Sequence, residues 1–538
     1  MSDLPLIDWL VIIGYFALTL GVAWWVSRKA SASSADYFLA SRDSGWFLIG
    51  ASLFASNIGA EHLVGLAGAG AGSGFAVAHY EIWASMILLL LGWLFVPFYL
   101  RSGVYTMPEF LERRYGPSAR WYLAVISIIA YVLTKISVTI VAGALVFETL
   151  FGGGFWVGAI AIVALTGAYT VLGGLKAVLY TDMLQMFVFI AGGLAVTVVG
   201  LNALGGWDAL RTTVGSEYFN IWKPSNHSSY PWTGIIFGAP LLGIWYWCTD
   251  QFIVQRVLSA PDVRNARLGC IFAGYLKLLP MFLFVLPGVI AAALAAQGKL
   301  TLTRADAALP TLMTSLLPDG LRGLVLAGLL AALMSSLSSM FNSCSTLLTW
   351  DIYRKLRPQA SERQLVWFGQ IATGFLVLCG FAWIPFMKNI SEQLFQYLQA
   401  VQAYIAPPIA AVFLLGVMWP RANTAGAMTA LLTGFVLGAA RLVMEFNKDA
   451  LSGPLHVYAT MNFLHFAIAM FVVCTALLIL VSLATTPPSR EQIAGLTFNS
   501  DAGRAAQVVE AGAHGPSVVL GSLGVVAGVV AIWLLFRG

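Results

Sequence analysis

About fourteen apolar runs follow one another along these 538 residues, and that succession most limits what the chain can become. They occupy 7–26, 45–74, 75–100, 121–150, 155–172, 177–204, 232–257, 268–296, 321–350, 365–387, 394–419, 425–444, 458–484 and 518–536. Each is near the roughly 20 residues that an α-helix needs to cross the hydrocarbon of a bilayer. Composition agrees: 10% of residues are charged and 59% hydrophobic, whereas soluble domains carry roughly 25% charged residues. The expected fold is an all-α integral membrane protein with about fourteen transmembrane helices. Its pI of 8.9 then reflects loop cations beside the bilayer and does not point to nucleic acid. The five cysteines all fall inside apolar runs, which argues against a disulfide framework or a thiolate metal cluster. The first run lacks a small-residue cleavage site before Arg28 and Lys29, so it reads as a retained span.

An even number of spans puts both termini on one side, and lysine and arginine choose which. With the termini outside, eighteen of the 29 cations fall in inner loops and nine in outer ones, while Lys135 and Lys277 lie within spans. The asymmetry predicts a multi-pass plasma (inner) membrane protein with both termini outside.

Two spans break the pattern. In 45–74, Ser56, Asn57, Gly59, Glu61 and His62 crowd the depth where lipid tolerates polar groups least. An unpaired backbone amide there costs several kcal/mol, so an interrupted helix persists only beside a protein-enclosed cavity. The second interruption is at 238–251, with Pro240, Gly243 and Asp250. Each opens a group of five spans. An odd number per group inverts the second against the first, the arrangement of inverted-repeat transporters. The expected division is 1–43 (an extra helix and cytoplasmic loop), 44–204 (first repeat), 205–231 (extracellular loop), 232–421 (second repeat) and 422–538 (three further helices).

Several polar groups sit where chemistry would need them. Ala332, Ser335 and Ser336 stand at i, i+3 and i+4, hence on one helix face. Two hydroxyls and a free carbonyl are hard oxygen donors for a small hard cation, which carbonyls of Ala55 and Ile58 at the first break would complete. Hydroxyl pairs also cement membrane helices. Lys277 lies about ten residues into a span, where insertion costs roughly 2.5–3.5 kcal/mol unless it is paired or faces a cavity. Glu81 is similarly placed, and an ammonium with a carboxylate offers donors and acceptors to sugar-type hydroxyls. Trp245, Tyr246 and Trp247 flank the second break, beside Asp250, Gln251, Gln255 and Arg256, which suggests a cytoplasmic gate. Asp182 marks a cation exit path or second cation site. Gln399 and Gln402 bring amides that both give and take hydrogen bonds.

The strings ASLFASNIG, TMPEFLERRYG, WYWCTDQFIVQR, GYLKLLPMF, LMSSLSSMFNS with TWDIY, and YIAPPIAAVFLLG together resemble the sodium/solute symporters, in particular the sodium/glucose cotransporter branch. The resemblance runs from about Pro5 through Arg421. It implies a leucine-transporter-like core of five plus five inverted helices with flanking helices, working by alternating access. By matching position it implies sodium at the Ala55, Ile58 and Ala332 carbonyls and the Ser335 and Ser336 hydroxyls. It likewise implies sugar contacts from Asn57, His62, Glu81, Lys277 and Gln399 with Trp245 nearby, and a gate of Tyr246 backed by Trp247. Asp182 with Ser338 and Ser339 resembles a second sodium site. His62 follows animal sugar carriers, where a bacterial relative has glutamine. Gly243 and Ala84 stand where sugar-binding relatives often have a polar side chain, and Gln402 and Gln396 replace a more usual threonine and aspartate.

The expected function is therefore not catalysis, since no nucleophile–base pair, phosphate loop or metal cluster is visible. It is symport: inward sodium movement drives uptake of a hexose such as glucose or galactose. The alternatives are a sodium-coupled myo-inositol, polyol or other small-solute symporter, and a sodium-independent facilitative channel or sensor on the same fold. The partners so implied are sodium, a small sugar and membrane lipid.

Overall fold

The computed structural model describes residues 4–28, 39–59, 61–151, 154–387, 394–498 and 515–537. Among them there is no strand. The principal helices in the first half are α1 (Leu6–Ser27), α2 (Trp46–Asn57), α3 (Ala67–Ser73), α4 (His79–Leu90), α5 (Met107–Tyr115), α6 (Pro117–Tyr131), α7 (Ser137–Phe151) and α8 (Phe155–Leu204). The second half adds α9 (Ala239–Gly243), α10 (Gln251–Leu258), α11 (Val263–Leu276), α12 (Leu286–Ala296), α13 (Leu321–Thr346), α14 (Glu362–Met387) and α15 (Leu394–Met418). Outside these lie α16 (Thr424–Phe446), α17 (Phe463–Ala484) and α18 (Pro516–Leu535).

Eleven described helices are long and apolar enough to span a membrane, three fewer than the apolar runs in the sequence. Two of the missing three are the interrupted spans themselves, and the reason is physical. α2 stops at Asn57, Ile58 turns extended (φ −72°, ψ 92°), and winding resumes in a π-helical turn, Glu61–Leu66. On the other side, the chain kinks through Pro240 and a π-helical turn at Ile244–Thr249, and Asp250 is extended (φ −78°, ψ 128°). Asp250 then caps α10 by accepting the Phe252 N–H at 3.2 Å, which satisfies a backbone donor the break leaves open. The third difference is α8. The runs expected at 155–172 and 177–204 form one helix of 50 residues.

The interior is built around α8 and α13, which pack along each other and against α1 and α2. α11 lies across α2 and α4. Asp8 ties α1 to α13: its buried carboxylate accepts the N–H groups of Gly320 (2.6 Å) and Gly323 (2.8 Å) and pairs with Arg322 (2.7 Å). A carboxylate there also complements the positive end of the helix dipole. Short helices are secured locally, as where Thr106 caps α5 at the Glu109 N–H and Glu109 accepts from the Tyr105 N–H.

Candidate functional site

Two buried polar clusters flank the first break. The first surrounds a pocket enclosing about 530 Å³ of empty space, mouth included. Its walls come from the break (Asn57, His62), from α4 (Tyr80, Glu81, Trp83, Ala84), from α9 and the turn after it (Gly243, Tyr246, Trp247) and from α15 (Phe395, Gln399, Gln402). Lys277, fully buried at the C-terminal end of α11, pairs with Glu81 and donates to the Asn57 side-chain oxygen. Glu81 also meets His62 Nε2 at 3.2 Å. The Asn57 amide donates to the Tyr246 hydroxyl at 2.9 Å, and the Lys277 ammonium stands 5.5 Å above the Trp247 ring. Neither charge would tolerate this burial alone; their pairing offsets part of the desolvation penalty. The result is a linked set of donors and acceptors, its Glu81 and Lys277 charges paired, in a pocket that also has aromatic surface from Tyr80, Trp83, Tyr246, Trp247 and Phe395. Such a pocket suits a neutral, polyhydroxylated solute.

Asn57, His62, Glu81 and Gln399 thus line one pocket, with Tyr246 and Trp247, while Lys277 is fully buried behind Glu81 and Asn57 and reaches the pocket only through them. Trp245 is placed differently. It is buried, its ring tilted against Tyr246 at 6.4 Å, and it does not line the pocket. Being on a helical turn, it points to a different side from its two neighbours. Lys135, in the π-helical turn Val132–Ile136, does line the pocket, its ammonium 5.2 Å over the Tyr246 ring. The sequence offered one signal for it, a lysine inside a span, without saying which way it faced.

The second cluster centres on Asp182 of α8. Its carboxylate accepts hydrogen bonds from Ser52 (2.5 Å) and Ser56 (2.7 Å) of α2 and from Ser335 (2.6 Å) of α13. Arg256 of α10 approaches at 3.6 Å and donates to Ser52, Ser56 and Ser339. The expected grouping of Asp182 with Ser338 and Ser339 is therefore regrouped. Asp182 holds Ser335, Ser339 belongs to Arg256, and Ser338 is buried without a bond to the carboxylate. Helical spacing allows this division without fixing it: Ser335 and Ser339 are one turn apart on one face, and the positions of Asp182 and Arg256 decide which hydroxyl each takes.

Ser336 is the informative exception. Its hydroxyl is fully buried and has no hydrogen-bond partner. The last carbonyls of α2, Ala55 among them, have lost their helical N–H partners because the helix ends there. A buried hydroxyl without a partner and freed backbone carbonyls are both donor types that a hard cation uses. No group of three histidine, cysteine, aspartate or glutamate side chains that could hold a metal occurs among the described residues.

One end of the molecule is tied shut beneath these clusters. Asp250 accepts from Tyr131. Gln251 accepts the Met107 N–H at 2.9 Å, and Gln255 donates to Thr346 at 3.2 Å. Beyond them Asp351 accepts from Thr106 (2.9 Å) and Arg120 (2.7 Å), while Glu112 pairs with Arg120 (2.5 Å) and Lys355 (2.8 Å). Burial by itself would raise the Glu112 carboxyl, but bonds and charge from Lys355 and Arg120 hold it below the usual carboxylate range. At the opposite end Tyr80 packs edge-on against Phe395 (5.5 Å) and Tyr230 (6.4 Å).

With the geometry in place, comparison with known proteins is informative. Residues 37–434 match the model of the sodium:solute symporter family. The chain is 39% identical to the sodium/glucose cotransporter 1 of Oryctolagus cuniculus, over 89% of this chain and 78% of that protein. It is 40% identical to the sodium/myo-inositol cotransporter of Canis lupus familiaris (90% and 73%) and to the sodium/mannose cotransporter of Bos taurus (92% and 89%). Among solved structures, a sodium-coupled sialic acid symporter in its substrate-bound outward-open state superposes with a TM-score of 0.78 at 20% identity, covering 90% of this chain and all of that one. That likeness speaks for the fold.

Proposed function

The chain belongs to the sodium:solute symporter family, and from that premise we propose that it uses inward sodium movement to drive uptake of a hexose such as glucose or galactose. It is a sodium-coupled transporter and not an enzyme. What carries the sugar reading is the Glu81–Lys277 pair, extended by His62 and Asn57 along the wall of a pocket that also offers Gln399 and Gln402. The Glu81 and Lys277 charges offset each other, while Asn57, His62, Gln399 and Gln402 keep hydrogen-bonding capacity at the pocket.

Sodium binds at the carbonyls of Ala55, Ile58 and Ala332 and the hydroxyls of Ser335 and Ser336. Ser335 can serve while bonded to Asp182, because a hydroxyl that donates one bond keeps two lone pairs. Coupling lies in the break itself. Ala55 and Ile58 would hold the ion, and Asn57 between them reaches the sugar pocket. An ion that orders this turn fixes Asn57, and a bound sugar that fixes Asn57 must tighten sodium to the same degree. The membrane potential adds about 2.3 kcal/mol per charge per 100 mV. Release inward requires the bonds that Asp250, Gln251 and Gln255 make to open. Both termini lie outside on this reading, which at the C-terminal end is supported by the Ile221 N–H donating to the Phe536 carbonyl at 3.0 Å, so that the end of α18 shares a side with the 205–231 loop expected outside.

A second reading, uptake of a cyclic polyol such as myo-inositol, is favoured by Gly243 and Ala84, which bring no polar side chain to the pocket they line. Uptake of labelled D-glucose, D-galactose, D-mannose and myo-inositol into proteoliposomes, with and without a sodium gradient, tests both. Sodium-driven uptake of a hexose is the expected result. A preference for myo-inositol selects the second reading, and sodium-indifferent counterflow overturns coupling altogether.

A further inference from the structure

Helix α18 lies beyond residue 434, where the match to the family model ends, and none of its residues lines the pocket. It is nevertheless fastened to both helices that supply the Glu81–Lys277 pair. Val518 and Val525 are fully buried in one small cluster with Leu89 of α4 and Ile271 of α11. The Tyr275 hydroxyl donates to the Gly521 carbonyl at 2.9 Å, and the Trp93 indole donates to Ser522 at 3.0 Å. Glycines let the backbones close up: a Cβ on Gly521 would sit 3.0 Å from Ile271, and one on Gly528 would sit 2.7 Å from Leu278.

The far end of α18 reaches the pocket roof. The Trp533 ring meets Trp83 edge-on at 5.4 Å and lies near Trp222 (5.7 Å) and His79 (6.4 Å). The Trp222 indole donates to the Trp533 carbonyl at 3.4 Å. Phe536 packs on Phe75 at 5.2 Å. Trp83 itself lines the pocket, two residues after Glu81.

We propose that α18 is a clamp that sets the register of α4 against α11, with Trp533 the positioning residue that holds Trp83 and, through it, the Glu81 end of the buried ion pair. The pair joins two helices, so its geometry depends on how far one has slid past the other. Packed apolar faces resist sliding weakly compared with directional bonds. A third helix bonded to both removes that freedom, and displacement of a positioned group by about 1 Å is enough to disable a site. The clamp rests on the sugar-pocket reading only for its uptake assay.

The test compares Trp533→Ala, Trp533→Leu and Trp533→Phe. In detergent-purified protein without sugar, amide exchange across residues 79–86 should rise several-fold in the Ala and Leu variants, stay at the wild-type level in the Phe variant, and remain unchanged across residues 46–57. In proteoliposomes the Ala and Leu variants should raise the KM for the sugar that wild type takes up about three- to tenfold, the range an aromatic edge-to-face pair is worth. Maximal rate and half-saturating sodium should stay within about twofold of wild type. Unchanged exchange at 79–86, a uniform rise along the whole chain, or an unchanged KM overturns the clamp. Wild type that takes up none of the sugars overturns the proposed function, while the exchange experiment still decides the clamp.

Discussion

Two buried carboxylate–cation pairs sit on either side of the same helix break, and they are not alike. Glu81 and Lys277 touch each other beside a cavity, which Glu81 lines with Asn57 and His62 while Lys277 is buried behind them. Asp182 and Arg256 stand 3.6 Å apart with four serine hydroxyls filling the gaps, and nearly every valence there is used within the protein. An equal amount of buried charge therefore does two jobs. Where packing leaves room, it borders a cavity, the place proposed for the solute. Where hydroxyls close the room, it ties α2, α8, α10 and α13 together.

Breaking the first pair should do most damage. Lys277→Ala leaves Glu81 buried without its cation, a loss of about 3–5 kcal/mol. Sugar uptake should fall at least a hundredfold, while sodium-dependent shifts in melting temperature persist. Loss of both together would show that the clusters are one site. Asp182→Asn tests the opposite cluster: it keeps an acceptor for Ser335 but removes the charge facing Arg256. Half-saturating sodium should rise about tenfold with sugar KM at saturating sodium unchanged, since a hydrogen bond to a charged group is worth about 1.5–3 kcal/mol. Ser336→Ala should raise half-saturating sodium by a smaller factor, about three- to fivefold for a neutral oxygen lost. An unmoved sodium curve would remove Ser336 from the ion site.

The smallest effect concerns the closed end. Because the Glu112 carboxyl is held below its ordinary range, its pairs with Arg120 and Lys355 stabilise the protein above about pH 4.3, the unperturbed value. That stability is lost as pH falls through the lowered value. Melting temperature should drop less steeply on acidification in Glu112→Gln than in wild type, and the neutral-pH difference should stay under about 1 kcal/mol for a partly solvated pair. Identical acid profiles would show that Glu112 contributes nothing there.

Much of this was legible in the chain itself. Hydrocarbon tolerates so few backbone solutions that long apolar runs announce helices. The same constraint makes a serine–asparagine–glycine cluster in mid-span announce a break. Lys277 and Glu81 declared themselves because isolated charges are costly at that depth. Ser335 and Ser336 were visible through one-turn spacing, and the segment strings pointed to the family that the comparisons then showed. Trp245 shows the limit of proximity in sequence: three consecutive aromatics on a helical turn face three directions, and only Tyr246 and Trp247 reach the pocket.

Only the tertiary structure decided the rest. Periodicity says which residues share a face, but not which face of which other helix meets it. That Ser335 serves Asp182 while Ser339 serves Arg256, that Lys135 turns inward, and that Trp533 reaches across from α18 to Trp83 all depend on contacts between residues from about 80 to 450 positions apart. The bilayer dictates that each segment be a helix and where charge is tolerated. The packing of helix against helix, which lipid cannot dictate because it is as apolar as they are, settles what those charges do.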